Sequence, residues 1–455
     1  MKHFACQLLV ISSVFCAARL LMAETRPQYG GTLHLSTRDV VNSLDPLDEP
    51  QDSLAARNIS LLLFDTLCTV DDNGRVHSGL ATSWQTSHNN QHWRFHLRKD
   101  VHFHDGTPLT AEAVTGSLRA ANPSWNVVAD GDSIVIEREY PDPEMPSELS
   151  LPRNAIWKKS SDNLPAGTGP FRLADWQPGK KLTVAANEDY WGGRPFLDAI
   201  EIEIGKNFRD QMTALEMGKF DVIEVSPEQA RRAPVGGREL IASSPIELVA
   251  LVFAHDAQNP EDKLSRDALS LSIDRESIRN VIMQGSGQPA GCFLPNWISG
   301  YAFVFSTRAD LSQARRERDQ LHAIPNWSLG YDSHDPTDRL LAERIALNAK
   351  DAGLRLQLTS SANADLRLVR IPLTSSDPWI ALERLANSIG TPLTKHSGTV
   401  EELYGAEQAL LASKRAIPLF HLPAIYALSP TLNGLTVLPD GTLSVVNAWL
   451  GVRQP

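Results

Sequence analysis

Cysteine is scarce in this 455-residue chain, with only four, at positions 6, 16, 68 and 292. Two of them fall in the first 23 residues, so Cys68 and Cys292 alone remain beyond that point. This excludes a disulfide-built scaffold and gives no basis for a cysteine-ligated zinc site, while a single bridge stays open. After the first 23 residues no apolar run is long enough to span a bilayer. Positive charge is also short: 43 Lys and Arg stand against 54 Asp and Glu, a net charge of −11. A chain without a basic excess is a poor partner for nucleic acid, because phosphate contact needs a basic face. Internal repeats and low-complexity tracts are missing. So are the GxSxG elbow, the HExxH helix and the Walker loop, and nothing places a nucleophile beside a base. No catalytic residues, cofactor or metal are therefore expected.

What is present begins with MKHFACQLLVISSVFCAARLLMA, a short basic start, an apolar stretch and small residues. This reads as a secretory leader over 1–23, outside the fold proper. Its loss removes Lys2 and Arg19 and no acid, so the exported chain is more acidic still. The length predicts two or three domains, and 42% apolar with 21% charged residues is the balance of a soluble globular protein. The 10 Trp residues exceed what packing alone requires and suit an aromatic-lined cleft as well as a core.

Strand and helix patterns alternate irregularly, which predicts a mixed α/β protein. In HWRFHLR, Trp93, Phe95 and Leu97 face one way and the polar residues the other, a half-buried strand. DAIEIEIG repeats the pattern with Ile200, Ile202 and Ile204, while IELVALVF is apolar throughout, as in a strand covered on both faces. SRDALSLSIDRESIRNVIMQGSG predicts a helix capped at Ser265 and closed near Gly285. DPTDRLLAERIALNAKDAG predicts another from Thr337 to Gly353, followed by the alternating strand LRLQL.

Two stretches invite a chemical reading. VHFHDGTP sets His102, His104 and Asp105 close enough to share a metal, yet the same residues suit the solvated end of a strand entering a DGTP turn. AGTGPFRLADWQPGKKLTVAANEDYWGG opens with glycines, but Phe171 and Leu173 alternate after them, so a strand follows instead of a phosphate-binding helix N-terminus. Leu182, Val184 and Ala186 alternate in turn, predicting a hairpin with its turn at Gln177-Pro178-Gly179.

GGTLHLSTRDVVNSLDP, LLLFDTLCTVDDNGRVHSGLATSW, WRFHLRKDVHFHDGTPLTAEAV, AGTGPFRLADWQPGKKLTVAANEDYWGGRPFLDAIEIEI, SRDALSLSIDRESI and IPLFHLPAIYAL follow one another over most of residues 29–435. Together they resemble the bacterial extracellular solute-binding proteins of family 5, the dipeptide-, oligopeptide- and nickel-binding components of ABC importers. The resemblance implies a two-lobed α/β clamshell of the periplasmic-binding-protein kind, type II-like, with a reduced extra domain on the first lobe. On that template residues 24–62 and 151–246 build lobe I, 63–150 the shortened extra domain, 247–425 lobe II, and 426–455 return to lobe I. It also implies an exported, periplasmic monomer that captures a small solute, a peptide or peptide-like molecule, and hands it to ABC transporter permease subunits.

The chain departs from the family where a ligand would be recognised. Between Leu118 and Trp125 only a few residues stand where relatives carry a longer insertion. In LVALVFAHD, Phe253 is kept, but Ala254 replaces a usual Asn, and Val249 and Ala250 stand where Tyr is common. Either the cleft is more apolar than in peptide binders or the core is merely repacked. Peptide-binding relatives place an Asp for the ligand's ammonium near SSDPW. Here that position falls at Thr374, or at Asp377 if the register shifts. Trp379 and Trp297 are the expected aromatic cleft residues. The ligand-contacting set expected from the resemblance is thus Phe253, Ala254, Trp297, Thr374, Asp377 and Trp379. A non-peptide ligand (sugar, heterocycle or metal complex), a sensor role, or an exported metal-dependent hydrolase using HFHDG are the alternatives.

Overall fold

The computed structural model describes residues 26–451 apart from 49–52, 72–74, 88, 140, 161–163, 227–229, 231–237, 302–304, 334, 362, 374, 376 and 395–397. The leader and Thr374 therefore lie outside the described residues. Among the described residues no helix is long and apolar enough to cross a membrane.

The chain opens with β1 (Thr32–Ser36), then α1 (Leu54–Leu63), whose Ser53 cap accepts the Ala56 N–H at 3.3 Å. A small antiparallel sheet follows: β2 (Ala81–Thr86), β3 (His92–Leu97), helix α2 (Ala111–Ala121), β4 (Asn126–Asp130) and β5 (Ser133–Glu137), in the order β2-β3-β5-β4. The alternation in HWRFHLR buries Trp93 and Phe95 in a core of their own with Val114, Leu118, Ile134 and Ile136. Burying a Phe like Phe95 contributes roughly 2–3 kcal/mol relative to leaving it exposed. The chain then returns through the hairpin β6 (Phe171–Gln177) and β7 (Lys181–Ala186), β8 (Ala199–Glu203), α3 (Phe208–Glu216) and β9 (Val222–Glu224). Gly179 takes a φ of +68° at the hairpin turn.

Next comes the long strand β10 (Glu239–Phe253), followed by α4 (Pro260–Ser272), α5 (Arg275–Val281), β11 (Asn326–Gly330), α6 (Pro336–Asp351), β12 (Arg355–Thr359), β13 (Leu366–Pro372), α7 (Pro378–Ser388), α8 (Val400–Ala412) and β14 (Ala416–Leu428). The helix predicted from Ser265 begins five residues earlier. Asn259 is its cap, accepting the Asp262 N–H at 2.9 Å, and Ser265 is buried within the helix. A second cap, Asp274, then splits the predicted helix in two.

One mixed sheet runs β6-β7-β8-β1-β9-β14-β10-β13-β11-β12, with Gln288–Pro289 paired to β14. Its left part, with α1, encloses one core (Leu33, Phe171, Ile200, Ile202), and its right part is covered on both faces. Along β10, Val249, Leu251 and Phe253 face one core and Leu248 and Ala250 the other, as expected for a continuously apolar strand. Among the described residues only β10 and β14 run through both halves. The first part of β10 (Glu239–Ala242) pairs with Ile425–Leu428, and the rest pairs with β13 and the start of β14. Between the two parts Pro245 faces Pro423 and the register shifts on either side. Proline cannot donate to the ladder, so the pairing is interrupted where one lobe passes into the other.

Candidate functional site

A cavity of about 540 Å³ lies between the lobes. From lobe I it is lined by Arg38, Asp39 and Val40 after β1, Ser53, Leu54 and Arg57 on α1, Phe208 at the start of α3, and Glu224 to Ser226. Lobe II supplies Ile246 and Glu247 of β10, Asp335 and Thr337 at the start of α6, and Arg370 and Pro372 of β13. Leu422 to Ile425 of β14 close it at the crossing.

Charge on these walls is organised in pairs. Arg370 is held wholly by its own lobe: its Nε donates to Asp338 at 2.9 Å, an Nη reaches Glu247 at 3.3 Å, and Asp335 lies at 3.7 Å. Burial works against its charge, but the carboxylates of Glu247, Asp338 and Asp335 outweigh it and raise the pKa above that of an ordinary arginine. Asp335 also caps α6, accepting the Thr337 N–H at 2.8 Å, where the helix dipole favours an anion. The same carboxylate meets Arg38 of lobe I at 3.8 Å, so one acid bridges both lobes. Arg38 lies over the Phe208 ring at 5.0 Å, and its backbone N–H donates to Glu224 at 2.8 Å. Burial, then the neighbouring Asp39 charge, raises the Glu224 carboxyl to about 7.

Of the residues expected from the resemblance, Thr374 lies outside the described residues and the other five stand away from the cavity wall. Phe253 is buried in the lobe II core, edge-on to Trp327 and beneath the Arg266 guanidinium at 4.1 Å. Ala254 is exposed just past the strand, its N–H bonded to Asp365 O. Val249 and Ala250 are fully buried, so the lost tyrosines are a matter of core packing. Trp379 sits in the other lobe II core and donates to Gly398 O at 3.0 Å. Asp377 is the cap of α7, accepting the Ile380 N–H at 2.9 Å. Trp297 donates to the carbonyl of Pro245 at 2.7 Å and thereby supports the crossing between lobes. Residues missed by sequence reasoning, chiefly Arg370 and Glu247, do leave a trace: Glu247 interrupts the apolar run PIELVALVF, and in LRLVRIPL Arg370 falls on the face of Leu366 and Leu368, where Arg367 keeps the alternation.

The two stretches that invited chemistry are structural. His104 turns inward to Gly169 O at 3.1 Å, and burial pushes its pKa down to about 4. Asp105 pairs with Lys158 at 2.7 Å, and His102 is exposed. Among the described residues no group of three His, Cys, Asp or Glu is placed to hold a metal. The GTGP glycines cross the carboxyl end of α1, where Gly169 N–H bonds Leu63 O at 3.1 Å and a Cβ at either glycine would collide with Leu63. That end of a helix repels anions. Cys68 is buried in the small-sheet core and Cys292 within lobe II, and burial pushes both thiols up to about 12.

Comparison with known proteins agrees with this architecture. The family described as bacterial extracellular solute-binding proteins, family 5 Middle, matches residues 75–379. The nickel-binding protein NikA of Staphylococcus aureus is 27% identical over 352 residues, covering 72% of this chain and 71% of that protein. The probable D,D-dipeptide-binding periplasmic protein DdpA of Escherichia coli is 25% identical over 321 residues, 64% of this chain and 62% of its own length. The fold is that of the periplasmic binding protein DppA from Helicobacter pylori, solved with the peptide STSA, at a TM-score of 0.77 and 19% identity, over 94% of this chain and 99% of that one. A two-lobed substrate-binding protein, this chain belongs to the bacterial extracellular solute-binding proteins of family 5.

Proposed function

We propose that this chain is the periplasmic substrate-binding component of an ABC importer. It captures a small peptide or peptide-like solute between its lobes and delivers it to a membrane permease, without performing chemistry on it. The observation that carries this reading is the cavity walled by both lobes, with β10 and β14 crossing between them around facing prolines. Closure of two lobes on a hinge is an established way to enclose a ligand, and burial between preformed walls supplies affinity. Native mass spectrometry of the protein isolated from its host, followed by a thermal-shift screen of peptides, tests it. A co-purifying solute that raises the melting temperature and is recovered unchanged is the expected result. Turnover of that solute, or a protein that binds nothing, overturns it.

One observation favours a second reading, a non-peptide solute. Asp377, the acid expected to hold a peptide's ammonium, is occupied in capping α7 and is absent from the cavity wall. The thermal-shift screen therefore includes sugars and metal chelates, and a response to these alone identifies the non-peptide case.

A further inference from the structure

Arg57 projects from α1 and is only 3% exposed, yet it lines the interlobe cavity. Among the described residues its guanidinium donates no hydrogen bond, and Nε is buried without a partner. Its one charged neighbour, Asp440, stands 3.7 Å from an Nη, beyond hydrogen-bond reach. The acids around the cavity are engaged elsewhere: Asp39 accepts from Ser53 at 2.9 Å, Glu224 from the Arg38 backbone, and Glu247 and Asp335 face Arg370. Ser226, 1% exposed and on the same cavity, has an Oγ that is likewise without a partner. A buried cation without hydrogen bonds is strongly destabilising, and such groups call for an explanation in what they bind.

We propose that Arg57 and Ser226 form an anion subsite of the cavity that takes a carboxylate of the ligand. The inference rests on the cavity being the ligand site. A guanidinium offers parallel N–H donors matched to a carboxylate, and the serine hydroxyl supplies another donor. A singly charged carboxylate suits one unengaged arginine. A phosphate dianion would add charge beside Asp39, Glu224, Glu247 and Asp335 on the same walls.

The test is a calorimetric and thermal-shift series on the full protein. Its probes are di- and tripeptides and small organic acids such as succinate, each paired with its amide, together with inorganic phosphate. Free acids bind, and their amides bind at least tenfold more weakly. Arg57→Gln weakens the acids at least tenfold and abolishes the acid–amide difference, while Ser226→Ala weakens them several-fold. Ligand-free Arg57→Gln melts close to the wild-type temperature, because the one ion pair lost, to part-exposed Asp440 at 3.7 Å, is long and lacks a hydrogen bond; a structural arginine would instead lower it. Equal binding of acids and amides, undiminished affinity in Arg57→Gln, or a less stable ligand-free variant overturns the subsite. Binding of phosphate alone, with dependence on Arg57, overturns the carboxylate assignment. If native mass spectrometry finds a bound solute without a carboxylate, the subsite fails while the interlobe cavity remains the ligand site; if nothing binds by either method, both fail.

Discussion

Asp65 and three donors more than a hundred residues later form one half-buried knot. Thr168 Oγ1, Tyr190 OH and Trp191 Nε1 all donate to its carboxylate, at 2.8, 3.0 and 2.8 Å. This explains the aromatic pair in NEDYWGG, which sequence reasoning placed correctly beside a hairpin but could not account for, because its partner lies in FDTL. Asp65→Ala orphans three part-buried donors and lowers unfolding free energy by on the order of 3 kcal/mol, read from urea denaturation. A loss below about 1 kcal/mol would show that the donors find other partners. Burial also raises Asp65 to about 6 and Glu224 to about 7 from ordinary values of 3.8 and 4.5. A raised acid holds its proton more tightly when folded, so these two stabilise most at low pH and lose that contribution as pH rises through those values. His104 and His421 oppose them: burial lowers both from 6.5 to about 4, so they cost stability as pH falls over that interval. Over that interval the two pairs pull in opposite directions. Glu224→Gln unmasks the histidines, and its melting temperature falls more steeply than that of wild type between pH 7 and about 4.5.

At the level of elements, periodicity and caps carry most of what the sequence discloses. The β10 run, the β6–β7 hairpin and the glycine stop at Gly353 all follow local rules that the fold respects. Ser265 misled because a serine before an apolar pattern looks like a cap, whereas the Asn259-Pro260 step upstream satisfies the first turn better. The cavity is less legible, since its walls come from six or more separated segments and its arginines are placed by tertiary contacts alone. Trp379 and Phe253 illustrate the difficulty, because core and cleft use the same aromatic residues. The proline pair at the lobe crossing gives an element-scale prediction. Replacing Pro245 and Pro423 by Thr restores two ladder donors and stiffens the crossing. Ligand association then slows several-fold with little change in melting temperature. Stopped-flow fluorescence of Trp297, whose indole bonds the Pro245 carbonyl, reports it, and unchanged rates would remove Pro245 and Pro423 as the hinge.

Across the whole molecule, closure balances attraction between Arg38 and Asp335 against repulsion between Asp377 and the acids Glu144 and Glu148. Arg38 and Asp335 attract across the lobes, but at 3.8 Å and with Arg38 part-exposed the pair contributes at most about 1 kcal/mol. Asp377, at the start of α7, faces the acids of the small domain instead. Its pKa is raised by burial, and the carboxylates of Glu144 and Glu148 push in the same direction. Asp142 is raised by burial too, with Glu148 and Asp377 adding to it while Arg138 opposes. Like charges between lobe II and the small domain disfavour the closed form when ionised, so closure is favoured as pH falls toward the carboxylate range. Asp377→Asn isolates this effect, because Asn caps a helix as well as Asp and only the charge is lost. The variant keeps its melting temperature and binds ligand as tightly as wild type or a few-fold more tightly, with a smaller radius of gyration in solution scattering at neutral pH. An Asp377 that anchored a ligand's ammonium would behave oppositely, losing affinity by orders of magnitude once its charge was removed.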